Sequence, residues 1–202
     1  MHFLNRSKTS WVYQVKGLFE STDDLIKELS LDKPTTRHSI KMFGKDVLIP
    51  RFQQAYGKSY SYSGTEAVSI PFTEALDEVK RIVMSVIEED LEIDPILYSY
   101  NMCLVNWYDN GDHYISPHSD DERQLVPGST IASVSLGATR KFLLAPKKGV
   151  DGIVDAVALK LDLEDGDLVI MGGTTQKTHV HSVPKDSKCE SQRVNITFRV
   201  FV

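Results

Sequence analysis

The chain has 202 residues, 41% apolar and 25% charged, which suffices for one domain with a sizeable core and is short for two full ones. That balance excludes disorder, a collagen repeat and a disulfide scaffold. With 23 Lys and Arg against 28 Asp and Glu, the net charge of −5 also excludes a broadly basic nucleic-acid binder, though not a local basic patch. Two distant cysteines, Cys103 and Cys189, no apolar run of membrane-span length and no signal-peptide grammar at the start predict a soluble, intracellular, single-domain protein over 1–202 with no membrane partner.

Two helices come first. Ser21-Thr22-Asp23-Asp24 offers capping and acidic residues for a helix running through Leu29. A second helix starts near Pro71-Phe72-Thr73 and ends before Pro95. It places Leu76, Val79, Ile82, Val83, Val86 and Ile87 on one face, so both helices are expected to lie against the outside of a sheet.

From Ile96 onward short β-rich runs take over: Cys103 to Tyr108, Thr130 to Leu136, Lys141 to Leu144, Val157 to Leu163, Leu168 to Met171 and Val194 to Val202. Turn signals separate them, among them Asp109-Asn110-Gly111-Asp112, Glu164-Asp165-Gly166-Asp167 and Gly172-Gly173. Helices followed by many short strands predict an α+β, mainly β, fold of sandwich or jelly-roll type. The βαβ alternation of a doubly wound sheet is missing.

His118-Ser119-Asp120 carries an imidazole and a carboxylate two residues apart, on one face of an extended backbone. Thr178-His179-Val180-His181-Ser182 carries two more imidazoles on one face. Two histidines and one carboxylate can fill one face of an octahedral metal and leave three positions open, the pattern of non-haem Fe(II) oxygenases. The competing reading is a loop pair and two surface histidines.

The last strand weighs against that alternative. Arg193, Asn195, Thr197 and Arg199 alternate with Val194, Ile196, Phe198 and Val200. A polar face turned to water is one explanation. A face that grips a carboxylate is the other, because Arg presents two donors in the geometry a carboxylate accepts. Asn106 and Tyr108 share one face of an earlier strand and offer further donors, which suits a 2-oxo acid co-substrate.

Taken in order, Asn106-Trp107-Tyr108, His118-Ser119-Asp120-Asp121-Glu122-Arg123, Ile131 through Ala138, His181-Ser182-Val183-Pro184 and Arg193-Val194-Asn195-Ile196-Thr197-Phe198-Arg199 resemble the AlkB family, over about Phe43 to Arg199. The resemblance implies a double-stranded β-helix, with a jelly-roll core over about 96–202 and nucleotide-recognition hairpins over about 36–70. It also implies Fe(II), 2-oxoglutarate and O2, with His118, Asp120 and His181 as iron ligands and His179 as a neighbour. Arg193, aided by Tyr108 and Asn195, would meet the far carboxylate of 2-oxoglutarate. Arg199 and Asn106 would lie near the chelating carboxylate, and Thr197 would line the same pocket.

On the substrate side, Met42-Phe43-Gly44-Lys45, followed by Ile49-Pro50-Arg51, is similar to the hairpin of the branch that repairs double-stranded DNA. Phe43 would be the wedge between bases, with Gly44, Lys45 and Arg51 beside it. Tyr60-Ser61-Tyr62-Ser63-Gly64 matches a family element in which Tyr62 stacks on the flipped base and Tyr60 holds its sugar-phosphate. Asp121 and Glu122 directly follow the metal ligand on the substrate side, and Glu122 would face the amino edge of a cationic methylated base.

The implied activity is oxidative demethylation of 1-methyladenine and 3-methylcytosine in double- or single-stranded DNA, releasing formaldehyde, succinate and CO2. RNA or a protein side chain as substrate, a noncatalytic nucleic-acid-binding module and a zinc hydrolase are the rival readings. A monomer is expected, nuclear in a eukaryote and otherwise cytoplasmic. The loop Lys185-Asp186-Ser187-Lys188-Cys189-Glu190 is less basic than expected of a duplex binder.

Overall fold

The computed structural model describes residues 1–42, 44–62, 65–148 and 156–202. In chain order the elements are β1 (His2–Phe3), β2 (Ser10–Val15), α1 (Asp23–Leu31), β3 (Ser39–Met42), β4 (Lys45–Leu48), β5 (Phe52–Gly57), β6 (Tyr60–Tyr62), β7 (Thr65–Ala67), β8 (Ser69–Ile70) and α2 (Glu74–Asp90). There follow β9 (Met102–Tyr108), β10 (Ile115–His118), β11 (Ile131–Gly137), β12 (Arg140–Pro146), β13 (Leu159–Leu163), β14 (Leu168–Gly173), α3 (Thr175–Thr178), β15 (His179–Val183) and β16 (Arg193–Arg199).

An eight-stranded sheet in the order β1-β2-β14-β11-β16-β9-β5-β8 faces a four-stranded sheet in the order β10-β15-β12-β13. From β9 onward the chain passes back and forth between the two sheets, which is the jelly roll expected from the strand grammar. Alternation along each strand of the large sheet sorts its side chains into two layers. Val194, Ile196 and Phe198 of β16 pack with Val134 and Leu136 of β11, with Leu29 of α1 and with Leu76, Val79, Val83 and Ile87 of α2, so both helices cover the outer face as expected. Ile131, Val169 and Met171 point inward and meet Phe142, Leu144, Leu161 and Val183 of the small sheet.

Several expectations are corrected. The large sheet draws β2 and β5 from the N-terminal half, so the sheet is not confined to 96–202, and β5 interrupts the hairpin region 36–70. Two hairpins do lie there, β3–β4 and β6–β7. Gly172-Gly173 ends β14 and is not a turn: a Cβ on Gly172 would collide with the Trp11 ring, so the glycine makes room for that indole. The first helix begins at Asp23, and the Thr22 hydroxyl donates to Asp165 and does not cap it. The last strand ends at Arg199, and Phe201 beyond it pairs with Leu125 as an isolated bridge.

Candidate metal and 2-oxo acid site

β10 and β15 are antiparallel neighbours with His118 opposite His181, so two imidazoles far apart in sequence become cross-strand partners. Their ring centroids lie 4.3 Å apart. Asp120 sits just beyond β10, in a loop and not on a strand. The Ser119 hydroxyl donates to His179 O at 2.7 Å, and the Asp120 N–H donates to Gln176 Oε1 at 3.0 Å. Asp120 Oδ1 lies 3.6 Å from His118 Nε2 and 3.8 Å from His181 Nε2. The three ligand atoms fall within 4.8 Å of one another. His179 is buried but turned elsewhere, with Thr178 Oγ1 2.8 Å from Nδ1 and Val157 O 3.1 Å from Nε2.

Electrostatics poise this cluster for a cation. Burial opposes ionisation of Asp120, but Arg199, His181 and His118 outweigh it and hold the carboxyl down at about 2. Burial pulls His181 down to about 3 against the attraction of Asp120, and burial lowers His118 as well. Two neutral imidazoles and a carboxylate are the protonation states a divalent metal requires. Two nitrogens and one oxygen on one side suit Fe(II) with the other side open.

The same pocket runs along the inner face of β16. Arg193, Asn195, Thr197 and Arg199 are all buried, so the polar face does not look into water; it looks into the space between the sheets. Arg193 Nη2 donates to Ser135 Oγ at 2.7 Å, while its Nε and Nη1 are buried without a hydrogen-bond partner among the described residues. Burial pulls this guanidinium down to about 10, still protonated at neutral pH. A buried cation with free donors aimed into a pocket is the complement of a carboxylate, so the residues present fit a 2-oxo dicarboxylate. Tyr108 is the Cα partner of Arg193, and Asn106 that of Asn195. Asn195 Nδ2 donates to Ser133 Oγ and Val134 O, which fixes its oxygen beside Thr197 Oγ1 at 3.3 Å.

Of the other expected residues, Arg51 and Glu122 reach the pocket. Arg51 lines the pocket, with Nε donating to Asn106 Oδ1 at 2.8 Å. Glu122 also lines it, with Oε2 buried and without a hydrogen-bond partner among the described residues and its carboxyl raised by burial. Asp121 is exposed and outside the lining. Gly44 takes the left-handed turn conformation at φ +77°, and Lys45 is exposed on β4. Phe43 and the side chains of Tyr60 and Tyr62 lie outside the described residues; the backbone of the tyrosines forms β6. Sequence reasoning missed Ser133 and Ser135, whose signal is their alternation in Ile131-Ala132-Ser133-Val134-Ser135-Leu136, and Gln53 and Gln176, which carry none.

Among curated proteins, the chain is similar to human "DNA oxidative demethylase ALKBH2", 34% identical over 165 residues covering 79% of this chain and 60% of that protein. The Arabidopsis thaliana protein of the same name is 32% identical over 200 residues, covering 84% and 60%. Human "Alpha-ketoglutarate-dependent dioxygenase alkB homolog 3" is 35% identical over 154 residues, covering 74% and 51%. The chain thus spans about 60% of the ALKBH2 relatives' length. A solved structure of OsALKBH1, 22% identical, superimposes with a TM-score of 0.68 over 94% of this chain and 96% of that one, and shows the fold. The sequence from residue 11 to residue 199 matches a single oxygenase family, and with it the chain belongs to the 2OG-Fe(II) oxygenase superfamily, whose chemistry uses Fe(II), 2-oxoglutarate and O2.

Proposed function

We propose that this protein is a DNA oxidative demethylase that removes N-methyl groups from 1-methyladenine and 3-methylcytosine. The observation that carries this reading is one pocket in which the His118–Asp120–His181 cluster, the partnerless donors of Arg193 and the buried carboxylate of Glu122 converge. The names of the similar curated proteins support DNA as the substrate.

Fe(II), 2-oxoglutarate and O2, when bound, supply the oxidation that hydroxylates an N-methyl group, with succinate and CO2 as coproducts. His118, Asp120 and His181 hold the metal from one side, and Arg199 keeps Asp120 ionised and aimed. Arg193, with Tyr108 and Asn195, grips the far carboxylate of the co-substrate. Asn106, Thr197 and Arg199 line the end nearer the metal. Glu122 attracts the cationic ring of the methylated base, with Asp121 at the rim. Tyr60 and Tyr62 hold the flipped nucleotide, while Phe43, Gly44, Lys45 and Arg51 serve the hairpin that fills the gap it leaves. Burial of Asp120, His181, Arg193, Asn195, Thr197 and Arg199 keeps water from competing with the contacts at the inner end of the pocket. The hydroxymethylated base then loses formaldehyde, and the unmodified base remains.

In this reading residues 1–202 form one catalytic domain, acting as a monomer in the nucleus of a eukaryote or the cytoplasm of a bacterium. No helix among the described residues is long and apolar enough to cross a membrane. A second reading, the same chemistry on single-stranded nucleic acid including RNA, is favoured by Asp186 and Glu190 in the loop after β15 and by the net charge of −5.

The test is mass spectrometry of single-stranded and duplex oligonucleotides carrying 1-methyladenine, incubated with Fe(II), ascorbate and 2-oxoglutarate beside Asp120→Ala. Loss of one methyl mass that needs 2-oxoglutarate and vanishes in the variant is expected, and the ratio of rates decides between the two readings. No loss on either DNA substrate, with iron bound, defeats the DNA assignment.

A further inference from the structure

Behind Tyr108, a lining residue of the pocket, lies a second buried guanidinium, Arg140, which is not itself in the lining and which no motif points to. Gly137 is the Cα partner of Arg193, and the short turn after it leads into β12, whose first residue is Arg140. Arg140 and Arg193 are each 1% exposed. Arg140 Nη1 donates to Asn110 O at 3.2 Å, and Nη2 donates to His113 O at 2.9 Å and Pro184 O at 2.6 Å. These carbonyls lie on two loops, one after β9 and one after β15, so Arg140 ties them together.

The Arg140 guanidinium lies 5.9 Å from the Tyr108 ring centroid, and that of Arg193 lies 5.3 Å from it. Among the described residues Arg140 donates to main-chain carbonyls, and Arg193 donates to the Ser135 hydroxyl and interacts with the Tyr108 side chain. Arg140 Nε, like Arg193 Nε and Nη1, is buried with no hydrogen-bond partner among the described residues. Two positive charges therefore flank one buried tyrosine, and the described residues offer neither an ion pair. Unbalanced buried charge is costly, and a ligand that brings a second negative charge to this end offsets the cost.

We propose that Arg140 is a positioning and specificity residue for the co-substrate. It braces Tyr108 and supplies a second positive charge that makes the far end select a dicarboxylate over a 2-oxo acid with an uncharged tail. This rests on the reading that Arg193 meets the far carboxylate. Arg140 acts through field and bracing and does not touch the ligand.

The test is calorimetric titration of the Mn(II)-loaded protein with 2-oxoglutarate and with 2-oxobutyrate, which has the same chelating head and no far charge. Arg140→Gln removes the charge and keeps hydrogen-bond donors. It should cut the preference for 2-oxoglutarate about tenfold and leave 2-oxobutyrate binding unchanged, while Arg140→Lys retains the preference. An unchanged preference in Arg140→Gln, or equal weakening of both acids, overturns the proposal. If Arg140→Gln does not fold, Arg193→Gln decides: a residual preference of about tenfold supports a second charge, and equal affinity for the two acids overturns it. A wild-type protein that binds 2-oxoglutarate no better than 2-oxobutyrate also overturns it. Binding of neither acid defeats the pocket reading and this inference together, an outcome distinct from loss of the preference alone.

Discussion

Arg199 holds Asp120 by two donors: Nη2 lies 3.0 Å and Nε 3.3 Å from Oδ2, which leaves Oδ1 facing the two imidazoles. The last residue of the last strand thus orients the one carboxylate of the metal cluster. A partner that fixes a ligand commonly accounts for about 10- to 100-fold in metal affinity. Arg199→Met should weaken Mn(II) binding by about that factor, read by calorimetry, with Arg199→Lys recovering part of it.

Metal binding should also stabilise the fold, because the cluster joins β10, β15 and the loop between β10 and β11. At a free metal concentration 100 times the dissociation constant, the gain is about 2.7 kcal/mol, visible as a rise in melting temperature. His181→Ala should abolish the metal-dependent rise. A rise that persists in the variant would place the metal elsewhere.

The two faces of β16 should answer differently to substitution. Ile196 is fully buried against the helix side, so Ile196→Ala should cost about 2–5 kcal/mol in chemical denaturation. Thr197 lies next to it on the pocket face, and Thr197→Ala should shift 2-oxoglutarate affinity more than stability. Reversal of that order would mean the faces have been exchanged.

Lys33, just after α1, meets Asp109, just after β9, at 2.6 Å, and Gln192 donates to the same carboxylate at 2.9 Å. Burial alone would raise Asp109, but the hydrogen bonds from Lys33 and Gln192 prevail and lower it. A depressed folded-state pKa gives stability present above the unfolded value of about 3.9 and lost as pH falls through the lower folded value. Lys33→Met should therefore lower the stability at pH 6 by about 1 kcal/mol or less for a partly exposed pair, read as a drop in melting temperature. The gap from wild type should narrow below about pH 4. A gap that stays constant down to pH 2 would assign the loss to packing of Lys33 over the Phe52 ring.

The sequence by itself determined the kinds of chemistry available and much of the strand and helix grammar. Period-two alternation marked both faces of β16, and helical spacing marked the apolar stripe of α2, because these periods are properties of local backbone geometry. His118, Asp120 and His181 were legible as candidate ligands through their spacing and the family resemblance, and the structure brings them together. That the polar face of β16 is turned away from water was decided only by the tertiary structure, since burial depends on the second sheet closing over Asn195 and Thr197. The same holds for β2, whose partner β14 lies more than 150 residues away, and for Gly172, whose purpose is a Trp11 ring that sequence proximity cannot supply. Arg140 is the sharpest case. Its sequence neighbourhood is an ordinary strand start, and only the crossing from one sheet to the other sets its charge beside Tyr108, the Cα partner of Arg193.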